Sequence, residues 1–127
     1  MLTKSGEITK KNLKQFLIYY HCLHDTEISS IVYDTKESII TLMLDVCWTG
    51  KPKLKEDGYY ETNPKKMKLI FEWIPECNIK EIPDWYTIDC INIEFITLKN
   101  NKLLRFDTGE LYIVAKTIKY EELESIV

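Results

Sequence analysis

The spacing of apolar side chains changes along this chain, and each change predicts a new element. Over residues 8–20, Leu13, Phe16, Leu17 and Tyr20 recur at i, i+3, i+4 and i+7, the single stripe of an amphipathic helix. Thr9 stands where an N-cap is needed, with Ile8 and Leu13 spaced as a hydrophobic staple, and Lys10, Lys11 and Lys14 fall on the other side. Past residue 25 the period drops from 3.6 to 2. "EISSIVYD" and "SIITLMLDVCW" read as two strands joined by a turn at Asp34 to Glu37. In the second, Ile40, Leu42, Leu44, Val46 and Trp48 form an apolar face, while Ile39, Thr41, Met43, Asp45 and Cys47 form a mixed one.

"MKLIFEWI" resumes the alternation, with Met67, Leu69, Phe71 and Trp73 on one side and Lys68, Ile70, Glu72 and Ile74 on the other; Pro75 ends it. Between these strands, residues 49–66 are polar and read as a mobile loop or an extended hairpin tip. Residues 75–86 read as an irregular crossing segment anchored by Trp85. The last third predicts a three-stranded meander, "TIDCINIEFITL", "LLRF" and "LYIVAKTIKY", with "EELES" as a final helical turn. Its turns suit hairpins, because Asn100-Asn101 tolerates positive φ and Gly109 supplies it. The pattern predicts an α+β fold: an N-terminal helix packed on a curled, mainly antiparallel sheet of about six strands, closing in a C-terminal three-stranded meander. The helical stripe is expected against Ile40, Leu42 and Leu44, with Trp48, Trp73 and Trp85 filling the core.

Length and composition narrow this picture. A chain of 127 residues, 45% hydrophobic with four glycines and four prolines, is expected to form one ordered domain. The net charge of -3 is unevenly spread: residues 1–66 carry 10 basic and 9 acidic groups, residues 67–127 carry 7 and 11. A protein that gained affinity by neutralising phosphates would show a basic excess, so neither nucleic acid nor an anionic membrane is expected as the primary partner. The four cysteines, at 22, 47, 77 and 90, form no C-x-x-C pair. Without an apolar leader the expected compartment is the cytoplasm, where such cysteines stay reduced as small buried hydrophobes.

Candidate chemistry concentrates in "YHCLHD", which holds both histidines of the chain. His21, His24 and Asp25 share a helical turn, yet a catalytic zinc takes three protein ligands on rigid elements, and this motif offers at most two histidines where helix gives way to strand. The expectation is therefore a structural corner at His24 and Asp25, with no metal and no cofactor. His24 is placed to close the last helical carbonyls, and Asp25 and Thr26 to make local side-chain hydrogen bonds. Cys22 adjoins His21, but consecutive helical residues diverge by about 100°, so no nucleophile–base pair forms. No catalytic residue is assigned. On the mixed strand faces Asp45, Glu72 and Glu94 would converge into an acidic strip if their strands were neighbours, either solvated or a docking surface for a basic partner. Tyr59 and Tyr60, among the lysines of residues 51–68, complete the candidate binding set.

"LHDTEISSIVYD" followed by "IITLMLD" resembles the opening of several small bacterial families, including uncharacterised domains and immunity proteins that neutralise polymorphic toxins. There a His-Asp pair precedes an I-x-x-I strand and a second alternating strand; the likeness covers residues 23–46, about a fifth of the chain, and carries over only His24 and Asp25. "MKLIFEWI" is similar to the strand such domains place next. The resemblance implies a non-enzymatic α+β domain that acts by binding another protein, a toxin of basic character being the natural candidate. The competing expectation is a ligand-binding protein or metal-dependent enzyme with a pocket between helix and sheet, His21 and His24 at its rim and Asp45 or Glu72 as acid or base. A third is self-association through an exposed edge of the meander.

Overall fold

The computed structural model describes residues 2–81 and 86–125; Trp85 lies outside them. Three antiparallel sheets account for most of the chain. The strands are β1 (Ser5–Glu7), β2 (Thr26–Asp34), β3 (Ile39–Val46), β4 (Lys53–Leu54), β5 (Tyr60–Glu61), β6 (Lys65–Glu72), β7 (Glu76–Ile79), β8 (Thr87–Ile88), β9 (Asn92–Leu98), β10 (Asn101–Asp107), β11 (Leu111–Ala115) and β12 (Thr117–Ser125). A six-stranded sheet runs β1-β12-β6-β3-β2-β8, a four-stranded one β7-β11-β10-β9, and β4 pairs with β5. Among the described residues one α-helix, α1 (Leu13–Tyr19), accompanies them. The α+β expectation holds loosely: the sheet content is larger, the helix smaller, and the strands divide between separate sheets.

The period-2 reading of the central strands is correct where it places the core. Ile40, Leu42 and Leu44 stand opposite Phe71, Leu69 and Met67, and all six are buried. Ile118 and Tyr120 extend this inner face onto β12. The four-stranded sheet closes over part of it through Ile93, Leu104, Phe106, Leu111 and Ile113, with the Phe71 and Phe106 rings edge to face at 5.0 Å. Another part is covered by α1. Phe16 and Tyr20 are its buried stripe residues, but their ring contacts run to Tyr120 on β12, at 5.1 and 6.3 Å, rather than to the β3 leucines alone. The buried Tyr20 hydroxyl is satisfied by donating to the Glu122 carboxylate at 2.8 Å.

Local expectations fail where the chain changes sheets. "LYIVAKTIKY" is two strands: β11 ends at Ala115 in one sheet, and after Lys116 the chain enters the other as β12. The Lys116 N–H donates to both the Glu72 and Trp73 carbonyls at 3.0 Å, so this crossing abuts the second one, from β6 to β7 through Trp73 to Pro75. There β6 stops at Glu72, Trp73 turns to φ 57, and its side chain is 48% exposed instead of continuing the buried face. The segment expected to be irregular after Pro75 begins with β7, paired to β11. "EELES" belongs to β12 and is strand, not a helical turn.

Turn chemistry explains the remaining shifts. Leu98 pairs with Asn101, so the two-residue hairpin uses Lys99 and Asn100, φ 49 and 67, one position earlier than the Asn100-Asn101 expected. Gly109 takes φ 95 as expected. The helix starts later than expected, at Leu13 with Asn12 rather than Thr9 at the N-cap position; Thr9 belongs to the preceding turn, its carbonyl accepting from Leu13 at 2.9 Å and its N–H donating to the Asn12 side chain at 2.8 Å. The 49–66 stretch is the hairpin alternative, β4 and β5 around Gly58 at φ 88. Among the described residues, no helix is long and apolar enough to cross a membrane.

Candidate functional site

Because the helix and the four-stranded sheet both pack on the inner face of the six-stranded sheet, its outer face is left open. Cross-strand partners share a face, so the register assigns its residues. Asp45 stands between Glu27 on β2 and Lys66 on β6, and Glu72 lies at the other end of the same β3–β6 ladder, opposite Ile39. Six residues of strand separate Ile39 from Asp45, about 20 Å at ~3.3 Å per residue. Two carboxylates that far apart cannot act as an acid pair on one glycosidic bond, which requires about 5–9.5 Å.

Glu72 is engaged locally, 2.8 Å from the Lys119 ammonium and accepting from the Thr117 hydroxyl at 2.8 Å. The hydrogen bond from Lys119, then that from Thr117, holds its carboxyl below the usual carboxylate range. A group with a depressed folded pKa contributes stability above its unfolded value and loses it as pH falls through the folded one. Glu72→Gln is therefore expected to flatten the decline of melting temperature below about pH 4.5, by well under ~1 kcal/mol because the pair is half in solvent. Identical acid limbs for both proteins would refute the pairing.

Glu94 does not join the other two. It sits on β9, in the four-stranded sheet, held by Arg105 on β10 and by the Asn92 amide at 3.0 Å. The Asn92 hydrogen bond and then Arg105 lower its pKa. The acidic strip expected from three neighbouring strands is thus a two-member arrangement on one sheet. Tyr59 and Tyr60 are exposed at the 53–61 hairpin, whose tip is tied by Lys55 N–H to the Tyr59 carbonyl at 2.8 Å and Tyr59 N–H to Asp57 at 3.0 Å. Leu54, exposed and paired with Tyr60, was not anticipated; its isolation between two lysines hid it.

The centre of the open face is apolar. Val32, Thr41 and Ile70 form one row across β2, β3 and β6, with Ile39 and Met43 on either side along β3. Val32 is 58% exposed, on a stretch of β2 that pairs with β3 alone because β8 reaches only Thr26 and Glu27. Glu27, Asp34, Asp45 and Glu72 surround the row against Lys66 and Lys68, giving the three central strands an acidic excess.

The His-Asp corner is built differently from the expected cap. The helix ends with the Tyr20 N–H on Phe16, and a 3-10 turn at His21–Leu23 follows with φ 52, 52 and 56, then Asp25 at 61. Four non-glycine residues in the left-handed region are costly and persist only where their surroundings hold them. His21 Nε2 bonds the Gly50 carbonyl and His24 Nδ1 the Asp89 carbonyl, each at 2.6 Å. A carbonyl only accepts, so those ring nitrogens carry the protons. Asp25 accepts from Trp48 Nε1 at 3.1 Å, its N–H donates to the Ile88 carbonyl, and Ile91 N–H donates to the Cys22 carbonyl. The corner therefore ties three chain segments together, and neither histidine closes helical carbonyls. None of the four cysteines is fully buried as expected: Cys22, Cys47 and Cys77 are half-buried and Cys90, beside the corner, is exposed, and desolvation followed by the neighbouring Cys22 thiol pushes the Cys90 pKa up.

Among the described residues, no group of three or more His, Cys, Asp or Glu side chains converges as a metal centre would need. The space between helix and sheet is filled by Phe16, Tyr20 and Leu23, while the pocket that includes His21 opens on the solvent side of α1, beside exposed Ile18. His24→Ala is expected to lower stability by about 1 kcal/mol, the value of one hydrogen bond, without altering metal content. Thermal melts and elemental analysis check this; stoichiometric metal lost with His24 would overturn the structural role. Comparison with family models, curated proteins and solved structures finds no significant match to this chain.

Proposed function

We propose that this chain is a non-enzymatic binding protein, an immunity protein that neutralises a cognate toxin by protein–protein contact through the outer face of its six-stranded sheet. The observation that carries the reading is that face itself: a row in which Val32 is exposed and Thr41 and Ile70 are half-buried, ringed by charges in which acids predominate, with the helix and the four-stranded sheet on the opposite side. A desolvated apolar centre inside a charged rim is the usual anatomy of a contact surface. The acidic excess fits a basic partner, whose approach it would accelerate and orient. The hairpin adds the exposed apolar Leu54 and the amphipathic Tyr59 and Tyr60, the tyrosines being of the kind that anchor interfaces. The motif resemblance of residues 23–46 supplies the class of partner.

Co-expression with the reading frames adjacent to its own gene is expected to recover one tight partner and to restore growth to cells producing it. Val32→Lys should weaken that complex about tenfold or more while leaving the melting temperature unchanged, since the side chain is already exposed. Repeated capture that returns no partner, or a complex indifferent to Val32→Lys and Asp45→Lys together, would refute the assignment.

A further inference from the structure

A cleft of about 430 Å³ opens between the two large sheets, where residues 7–10 face β9 and β10. Its apolar lining is Ile8, Phe95, Ile96, Leu103 and Leu104, and the exposed Lys10, Lys102 and Lys116 also line it. The Lys10 ammonium lies 5.8 Å from the centre of the Phe95 ring. Among the described residues none of these three lysines has a carboxylate within 4.0 Å, and Glu7 is the sole acid in the lining. A chain of net charge -3 thus gathers three unpaired cations around one concavity, where their mutual repulsion favours an anion.

The volume lies within the range of small-molecule sites, roughly 300–1,000 Å³. Lysine ammoniums act as point charges, and a group of three is better neutralised by a phosphate ester, which carries up to two negative charges, than by a carboxylate, which carries one. The Thr9 and Thr97 side chains add neutral groups to the lining, and Phe95 with Leu104 offers a surface for an apolar body. We propose that this cleft binds a small phosphate ester, its phosphate among Lys10, Lys102 and Lys116 and its apolar part against Phe95 and Leu104.

The site is separate from the outer sheet face, so it stands or falls independently of the partner-binding role. Calorimetric titration of the full chain with 1-naphthyl phosphate tests it, with 1-naphthol and inorganic phosphate as comparison probes. Saturable one-to-one binding is expected, about tenfold or more tighter than either comparison probe, and weakening as added salt shortens the screening length. The Lys102→Gln, Lys116→Gln double variant should lose about tenfold or more in affinity with its ligand-free melting temperature unchanged. Absence of saturation, equal affinity for the neutral naphthol, or binding untouched by the double variant would overturn the proposal. Partner capture is expected to be unaffected by the same variant.

Discussion

Phe71→Ala is expected to lower the unfolding free energy by about 3–5 kcal/mol, the largest effect of any single truncation considered. Phe71 is fully buried on β6, between Ile40 on β3 and Ile118 on β12, and its ring meets Phe106 across the sheet-to-sheet interface. Removing it therefore opens a cavity at the junction of two layers, and both crossings, at Trp73 to Pro75 and at Lys116, lie just beyond and restrict how far the sheets can collapse into it. Urea denaturation followed by tryptophan fluorescence should show a lower midpoint with an unchanged slope. A loss below about 1 kcal/mol would mean that the two sheets do not share a core at this point.

Thr26→Val is expected to act in the opposite direction, raising stability by about 1–3 kcal/mol. Thr26 is completely buried at the start of β2, opposite Ile88, and its hydroxyl is the one buried side-chain polar atom among the described residues without a hydrogen-bond partner. Valine has nearly the same shape and replaces the unsatisfied oxygen with a methyl group, so desolvation is relieved without a cavity. The same denaturation experiment checks the sign. A destabilised Thr26→Val protein would show that the hydroxyl is satisfied and that the corner above it depends on that bond.

The two predictions differ in how far the sequence foretold them. Phe71 as a core residue is legible in "MKLIFEWI", since alternation places it with Met67 and Leu69. The same alternation also promised Trp73, which instead turns outward at φ 57 because the strand ends there to cross between sheets. Thr26 was expected to bond locally beside Asp25, and its lack of a partner depends on how β8 closes over it. At the candidate site, Asp45 and Glu72 were correctly assigned to one mixed face, but the distance between them follows from register and Glu94 from sheet membership. Nothing in the pattern marked Lys10, Lys102 and Lys116 as neighbours, because they come from three separate segments.

By itself the sequence determined which side of each central strand is apolar, where α1 carries its stripe, and where the Gly109 turn falls. These are local properties, set by solvation and backbone sterics within a few residues. Only the tertiary structure decided that β11 and β12 part company at Lys116, that β7 pairs with β11, that the outer sheet face stays bare, and that a lysine-lined cleft opens between layers. Strand pairing is made by backbone amides and carbonyls that are the same in nearly every residue, so they carry no address. The choice of partner is settled only when all the apolar faces compete for one core.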